Sequence, residues 1–408
     1  MQRYLIGLIL LFCLAWPGTS EAARLFTCGF EENNLISTMW ASTFGTAPTI
    51  GAVSPHSGTY RLNTSAAAVV SGARHTLSTT VNSGTQYTRF YFMADDATPS
   101  AQTFIYVAVS SSAVGGPGIE LKTTGELILN NLVTTTTATT TATLSNNTWY
   151  RIEVRHLLSD TVGEIEMRLY NTTDGGLIET ISITNEDTLP VNIQSIQFEK
   201  TDSLSTFSFD DIAWNDTSGS SQTAWPGPGK VYLLVPNADT SVTWENEAAG
   251  AATFTKIDDL PGAPDDATTY NTEIVNLNST DRFGLTSLGA EVPSNATIVL
   301  VAVYARVGST QTSTTQMNMK LWDDGGTLTT GPTLNVNVNG WIKLVNSTYL
   351  YFDAAGKTKT NIDSFDIGYE NVTDVATRER RVTALWAEVE WNEASGARRA
   401  FMLMGVGE

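Results

Sequence analysis

Apolar and polar residues alternate with a period of two along almost the whole chain, and this restricts it to strands. In Tyr87-Thr88-Arg89-Phe90-Tyr91-Phe92 and Phe104-Ile105-Tyr106-Val107-Ala108-Val109, successive side chains fall on opposite faces. No segment carries the apolar stripe of a long amphipathic helix. Composition agrees, because strand-favouring Thr, Val and Tyr are plentiful while only 16% of residues are charged. At 408 residues and 41% hydrophobic content the chain can bury more than one core, which excludes wholesale disorder. The fold class expected is all-β, with two antiparallel β-sandwich domains in tandem.

The chain divides at 216–230. Thr217-Ser218-Gly219-Ser220-Ser221 reads as flexible, and Trp225-Pro226-Gly227-Pro228-Gly229 cannot continue a strand. A β pattern restarts at Val231-Tyr232-Leu233-Leu234-Val235. The expected organisation is therefore a first domain over 23–215, a linker over 216–230, a second sandwich over 231–392 and a tail over 393–408. Residues 1–22 read as an export signal: Arg3, the apolar run Leu5 to Trp16, then the small residues of Ser20-Glu21-Ala22. That run is shorter than the ~20 apolar residues that span a bilayer. The expectation is a secreted or cell-surface protein, with no membrane contact once the signal is removed. Signal removal leaves Cys28 as the one cysteine, expected as a buried thiol.

Formal charge is −19, from 23 Lys and Arg against 42 Asp and Glu. Such a chain gains no counterion-release energy on a polyanion, so nucleic acid is excluded as a partner. The Thr-rich run 134–143 is expected at a sheet edge or hairpin tip. Arg151, Glu153 and Arg155 share one strand face, and Glu164, Glu166 and Arg168 share the next. Paired antiparallel, these faces set Arg against Glu across the ladder, so they read as ion pairs and not as the opposed carboxylates of a glycosidase. No Gly-x-Ser-x-Gly elbow, phosphate-cradling loop or histidine spacing for zinc is present. The chain is therefore expected not to be an enzyme.

Adjacent acids such as Glu31-Glu32, Asp95-Asp96 and Asp210-Asp211 can offer loop oxygens to calcium, which takes six to eight of them. Asp95, Asp96, Asp210 and Asp211 are the candidate ligands. For glycan contact, a sugar's apolar face stacks on aromatic rings, and Trp40, Tyr60, Trp149 and Trp214 are the candidates.

Four stretches of the first domain carry a resemblance: Phe30-Glu31-Glu32, Ser57-Gly58-Thr59-Tyr60-Arg61-Leu62, Asn147-Thr148-Trp149-Tyr150-Arg151-Ile152-Glu153 and Phe209-Asp210-Asp211-Ile212. They resemble concanavalin A-like, laminin G-like jelly-roll domains over about residues 24 to 215. The resemblance implies two packed antiparallel sheets, glycan binding or adhesion, and often one calcium ion. Residues 231 to 392 resemble modules of tailed-phage virion proteins through Thr255-Lys256-Ile257-Asp258-Asp259-Leu260-Pro261, Asp281-Arg282-Phe283 and Ile362-Asp363-Ser364-Phe365-Asp366-Ile367-Gly368. Together they imply a non-catalytic, surface-displayed or virion-displayed structural and adhesion protein, with glycans or surface and virion proteins as partners and oligomerisation open. The alternative is a secreted polysaccharide-active enzyme, a glycoside hydrolase or lyase, on a jelly-roll scaffold.

Overall fold

The structure is a computed structural model. It describes residues 23–393 apart from 36–39, 82, 111–113, 172–175, 190–192, 202, 247–251, 267, 274–277, 310–315, 332, 337–339, 344–349 and 373–378. The expected signal 1–22 and the basic-apolar tail from 394 lie outside the described residues.

Strands β1 (Arg24–Cys28), β2 (Ser42–Gly45), β3 (Thr49–Gly51), β4 (Arg61–Asn63), β5 (Ser71–Val81), β6 (Thr85–Ala94), β7 (Thr103–Val109), β8 (Val114–Leu121), β9 (Glu126–Asn131), β10 (Thr137–Thr143), β11 (Tyr150–Leu157), β12 (Gly163–Tyr170), β13 (Leu177–Glu186), β14 (Ile193–Lys200) and β15 (Phe207–Asn215) build the first sandwich. One sheet has eight strands in the order β13-β12-β11-β6-β15-β4-β3, with β1 added on β15. The other has seven, in the order β10-β9-β8-β7-β14-β5-β2. Every pairing is antiparallel, and the Thr-rich β10 lies at an edge, as its composition predicts.

The inner faces follow the alternation. Phe90 and Phe92 of β6, Ile152 and Val154 of β11, and Ile196 and Phe198 of β14 are buried in one aromatic-rich core. Burial of each such side chain contributes about 1.5–3 kcal/mol. Cys28 sits in this core as a buried thiol. The expected ladder forms: Arg155 pairs in register with Glu166 and Glu153 with Arg168. Arg155 Nη2 lies 3.1 Å from Glu166 and also reaches Glu164, while Arg168 Nε donates to Glu166 at 2.7 Å.

The second sandwich uses β16 (Lys230–Leu234), β17 (Pro236–Ser241), β18 (Glu245–Asn246), β19 (Asn271–Glu273), β20 (Thr280–Leu285), β21 (Thr297–Ser309), β22 (Gln316–Trp322), β23 (Leu328–Thr330), β24 (Leu334–Asn335), β25 (Gly340–Lys343), β26 (Leu350–Asp353), β27 (Asp366–Asn371) and β28 (Arg380–Asn392). Long strands β21 and β28 pair along their length in one sheet, and β20-β27-β22 form the heart of the other. Among the described residues the helical elements are a four-residue turn of 3₁₀ helix at Thr253–Lys256 and a four-residue α-helix at Lys359–Ile362.

Strand β28 departs from simple alternation, because both its faces are buried. Leu385, Ala387, Val389 and Trp391 point into the second core. Ala384 and Trp386, with Ala302 and Tyr304 of β21, pack into the first sandwich's cluster instead. Glu388 and Glu390 share that outward face and are about 1% exposed. Glu390 accepts from Arg89 Nη1 at 2.7 Å and from Arg24 Nη1, two guanidiniums of the first sandwich. Those two cations hold its carboxyl near 2 against the opposing effect of burial.

The segment 216–230, expected as a linker with a flexible stretch at 217–221, is tied to the first sandwich. Ala23 N–H donates to Ser221 O at 2.7 Å, and Asn215 Nδ2 to Ala224 O at 2.9 Å. Gly227 N–H donates to Glu153 Oε1 at 2.7 Å, and the Trp225 ring lies 4.0 Å from the Arg168 guanidinium. Between them, this segment and β28 cover the outer face of the eight-stranded sheet at Arg89, Tyr91 and Glu153.

Candidate functional site

Three buried acids organise the loop between β3 and β4. The Glu31 carboxylate accepts the backbone N–H groups of Thr59 and Tyr60 at 2.9 and 3.0 Å. Asp210 Oδ2 accepts His56 N–H at 2.8 Å. Asp211 accepts from the Ser57 hydroxyl at 2.8 Å, lies 2.6 Å from His56 Nδ1, and takes Val231 N–H at 2.8 Å. The His56 ring stacks on Tyr91 at 3.6 Å. Gly58 is required at the apex: its φ is +59°, and a Cβ there would meet Glu31 Oε1 at 2.3 Å. Burial, with Asp211 nearby, raises Glu31 to about 7 despite its backbone donors. Burial and the neighbouring Asp211 push Asp210 well above the usual carboxylate range.

These contacts correct the expectation that Asp210 and Asp211 offer loop oxygens to calcium. Both are fully buried in β15, and their oxygens accept N–H and O–H donors. Asp95 and Asp96 do lie on the surface, where Asp95 Oδ1 accepts Asp96 N–H and Thr206 N–H, each at 2.7 Å. Asp96 Oδ1 accepts Thr98 N–H at 2.9 Å. Among the described residues no three His, Cys, Asp or Glu groups converge in the arrangement of a metal cage.

The aromatic candidates separate by burial. Trp40 stacks on Phe30 at 5.4 Å and Trp214 is fully buried, so neither ring presents a face to a sugar; both are core residues. Trp149 and Tyr60 are half-buried. Trp149 Nε1 donates to Ser54 O at 3.2 Å, and the Arg61 guanidinium lies 5.8 Å over its ring. Tyr60 borders a cavity of about 270 Å³ between the sandwiches, together with Glu31, Tyr232, Leu260 and Glu291.

The outer face of the first sandwich's other sheet carries polar groups too, buried at Gln197, Glu199 and Asn130 and half-buried at Arg74. Cross-strand partners share a face. The register places Ser42, Arg74, Gln197, Val107, Gly118 and Asn130 in one row across six strands of the seven-stranded sheet. Arg74 Nε donates to Gln197 Oε1, and Gln197 Nε2 donates to Glu199 Oε2 at 3.3 Å. Gln102 Nε2 and Asn130 Nδ2 both donate to Glu120 Oε2, at 2.7 and 3.3 Å. Phe44 and Phe104, half-buried, belong to the same face through their pairing with Gly72 and Glu120. Burial raises Glu199 to about 7, with Arg74 acting in the opposite direction. Sequence reading finds no Arg and Gln together, because Arg74 and Gln197 stand 123 positions apart and meet only through β-pairing. His75, beside Arg74, turns inward and stacks on Phe26 at 3.7 Å.

No protein-family model matches the chain, and no curated protein matches it. Solved structures with similarity include a cellulose-induced protein, Cip1, at 19% identity over 50% of this chain and 100% of that one, with a TM-score of 0.37. Lectin II from Ulex europaeus is 11% identical over 43% of this chain and 98% of that one, with a TM-score of 0.30. A metal-free form of lectin I-B4 from Griffonia simplicifolia is 13% identical over 47% of this chain and 98% of that one, with a TM-score of 0.32. The site therefore stands on its own residues.

Proposed function

We propose that the protein is a non-catalytic, surface-displayed or virion-displayed adhesion protein. Its first sandwich retains glycans, and its second serves as a scaffold. The observation that carries this reading is the polar outer face of the seven-stranded sheet. Planar amide, guanidinium and carboxylate groups lie there in hydrogen-bonded rows beside the half-buried Phe44 and Phe104. Planar polar groups bind pairs of sugar hydroxyls, while ring faces take the apolar side of a pyranose. Half-buried Tyr60 and Trp149 remain as secondary contacts, whereas Trp40 and Trp214 drop out.

The calcium expectation stays with the surface pair Asp95 and Asp96, because the oxygens of Asp210 and Asp211 are buried and already accept protein donors. Calcium is then expected to raise the unfolding temperature and EDTA to lower it. Asp96→Asn should abolish that response, and a flat calcium titration would remove the ion from the account.

Glycan retention by the purified protein on immobilised polysaccharides, with no change in the polymer, is the expected result. Arg74→Ala with Gln197→Ala should release it. One observation favours a second reading: Glu199, held near 7 beside Gln197 and Arg74, has the protonation range of a general acid or base. Release of reducing ends or unsaturated sugars, abolished by Glu199→Gln, would overturn the non-catalytic reading. Recovery on purified particles or on cell envelopes decides between virion and surface display.

A further inference from the structure

The second sandwich carries a groove of its own. Arg282 of β20 and Lys320 of β22 both pair with Gly368 of the intervening β27, so two cations flank a position with no side chain. Gly368 has no alternative residue there, because a Cβ would meet Asp281 O at 1.9 Å and the Trp322 ring at 3.1 Å. The half-buried Trp322 lies beside them with the Arg282 guanidinium 5.0 Å over its ring. Arg282 Nε donates to Asp366 Oδ2 at 2.6 Å, and Lys320 Nζ pairs with Glu370 at 2.9 Å. The cavity measures about 560 Å³, and its rim includes Thr243, Asn278, Thr280 and the exposed Leu328. That volume is in the range of small-ligand sites, ~300–1,000 Å³.

We infer that this groove binds a carboxylate-bearing sugar of an acidic glycan. Asp366 engages Arg282 through Nε, and the two terminal nitrogens form the fork that takes a carboxylate in bidentate fashion. The Trp322 ring offers the apolar platform, and the Thr and Asn side chains reach hydroxyls. Arg282 and Lys320 bring two cations to the cavity, each held by one carboxylate, Asp366 and Glu370, so the recognition rests on the fork geometry and not on net charge. The site lies on the second sandwich and is independent of the glycan reading for the first.

The test is calorimetric titration of the whole protein with a galacturonate hexamer, its methyl ester and a glutamate hexamer. The galacturonate oligomer is expected to bind, and its affinity to fall with added salt. Esterification, Arg282→Gln and Trp322→Ala should each weaken it by about tenfold or more. Arg282→Lys, which keeps the charge without the fork, should recover only part of the loss. Arg74→Ala should leave binding unchanged, separating failure of this site from failure of the first. Equal binding of the ester, equal binding of the peptide, or full affinity in a folded Arg282→Gln protein would each overturn the inference. If Trp322→Ala lowers the unfolding temperature sharply, Trp322→Phe replaces it in the same comparison.

Discussion

Glu390 accepts a hydrogen bond from Arg89 at 2.7 Å across the join of the two sandwiches, and both side chains are at most 1% exposed. With Arg24 on the same carboxylate, the join is a buried ionic triad set beside the stacked rings of Tyr304 and Trp386, 5.6 Å apart. Desolvation offsets much of the attraction in such a triad, but removing one member leaves the others uncompensated.

Glu390→Gln should therefore destabilise the protein by about 3–5 kcal/mol. Chemical denaturation is expected to resolve two transitions in the variant, because the loss falls on the contact between the sandwiches and spares both cores. A single transition at the wild-type midpoint would show that the triad does not hold them together.

Two carboxyls give opposite pH dependences. Glu390 lies near 2 in the fold against 4.5 ordinarily, so its stabilisation is complete above 4.5 and disappears as pH falls through 2. Glu199 lies near 7, so the fold holds its proton longer than the unfolded chain does. Its contribution is complete below 4.5 and is lost as pH rises through 7. Compared with Glu199→Gln, the wild type should lose stability between pH 4.5 and 7; parallel stability curves would refute the assignment.

Gly58→Ala should cost about 1–3 kcal/mol, combining left-handed strain with the clash against Glu31. The 56–61 loop should loosen with it. Hydrogen exchange at the Thr59 and Tyr60 amides, both donors to Glu31, reports that loosening directly.

Cys28 is fully buried, so a thiol reagent should leave it unmodified in the native protein and label it in denaturant. Labelling at the native rate of an exposed thiol would contradict its place in the core.

The strand pattern was legible because period-2 alternation is a local property. It placed Phe90, Ile152 and Val154 inward, put the Thr-rich β10 at an edge and matched Arg155 with Glu166. Alternation says which residues share a face, however, and not what covers that face. Trp386, Glu388 and Glu390 share one in the sequence, and acids at every second position suggest water. The structure covers them with the first sandwich, whose two arginines neutralise Glu390. Trp40 and Trp214 illustrate the same limit, since an aromatic in a strand serves a core or a binding face equally well. The row from Arg74 to Gln197 to Val107 depends on strand order, which is non-local and leaves no trace in residue spacing.

Arg24 and Glu390 lie 366 positions apart, which gives the triad a consequence for biogenesis. A nascent chain completes its first sandwich long before β28 is translated. During that interval the growing polypeptide carries the Arg24 and Arg89 guanidiniums, without Glu390, at the surface it must later bury. Arrival of Glu390 closes that interval by neutralising both arginines.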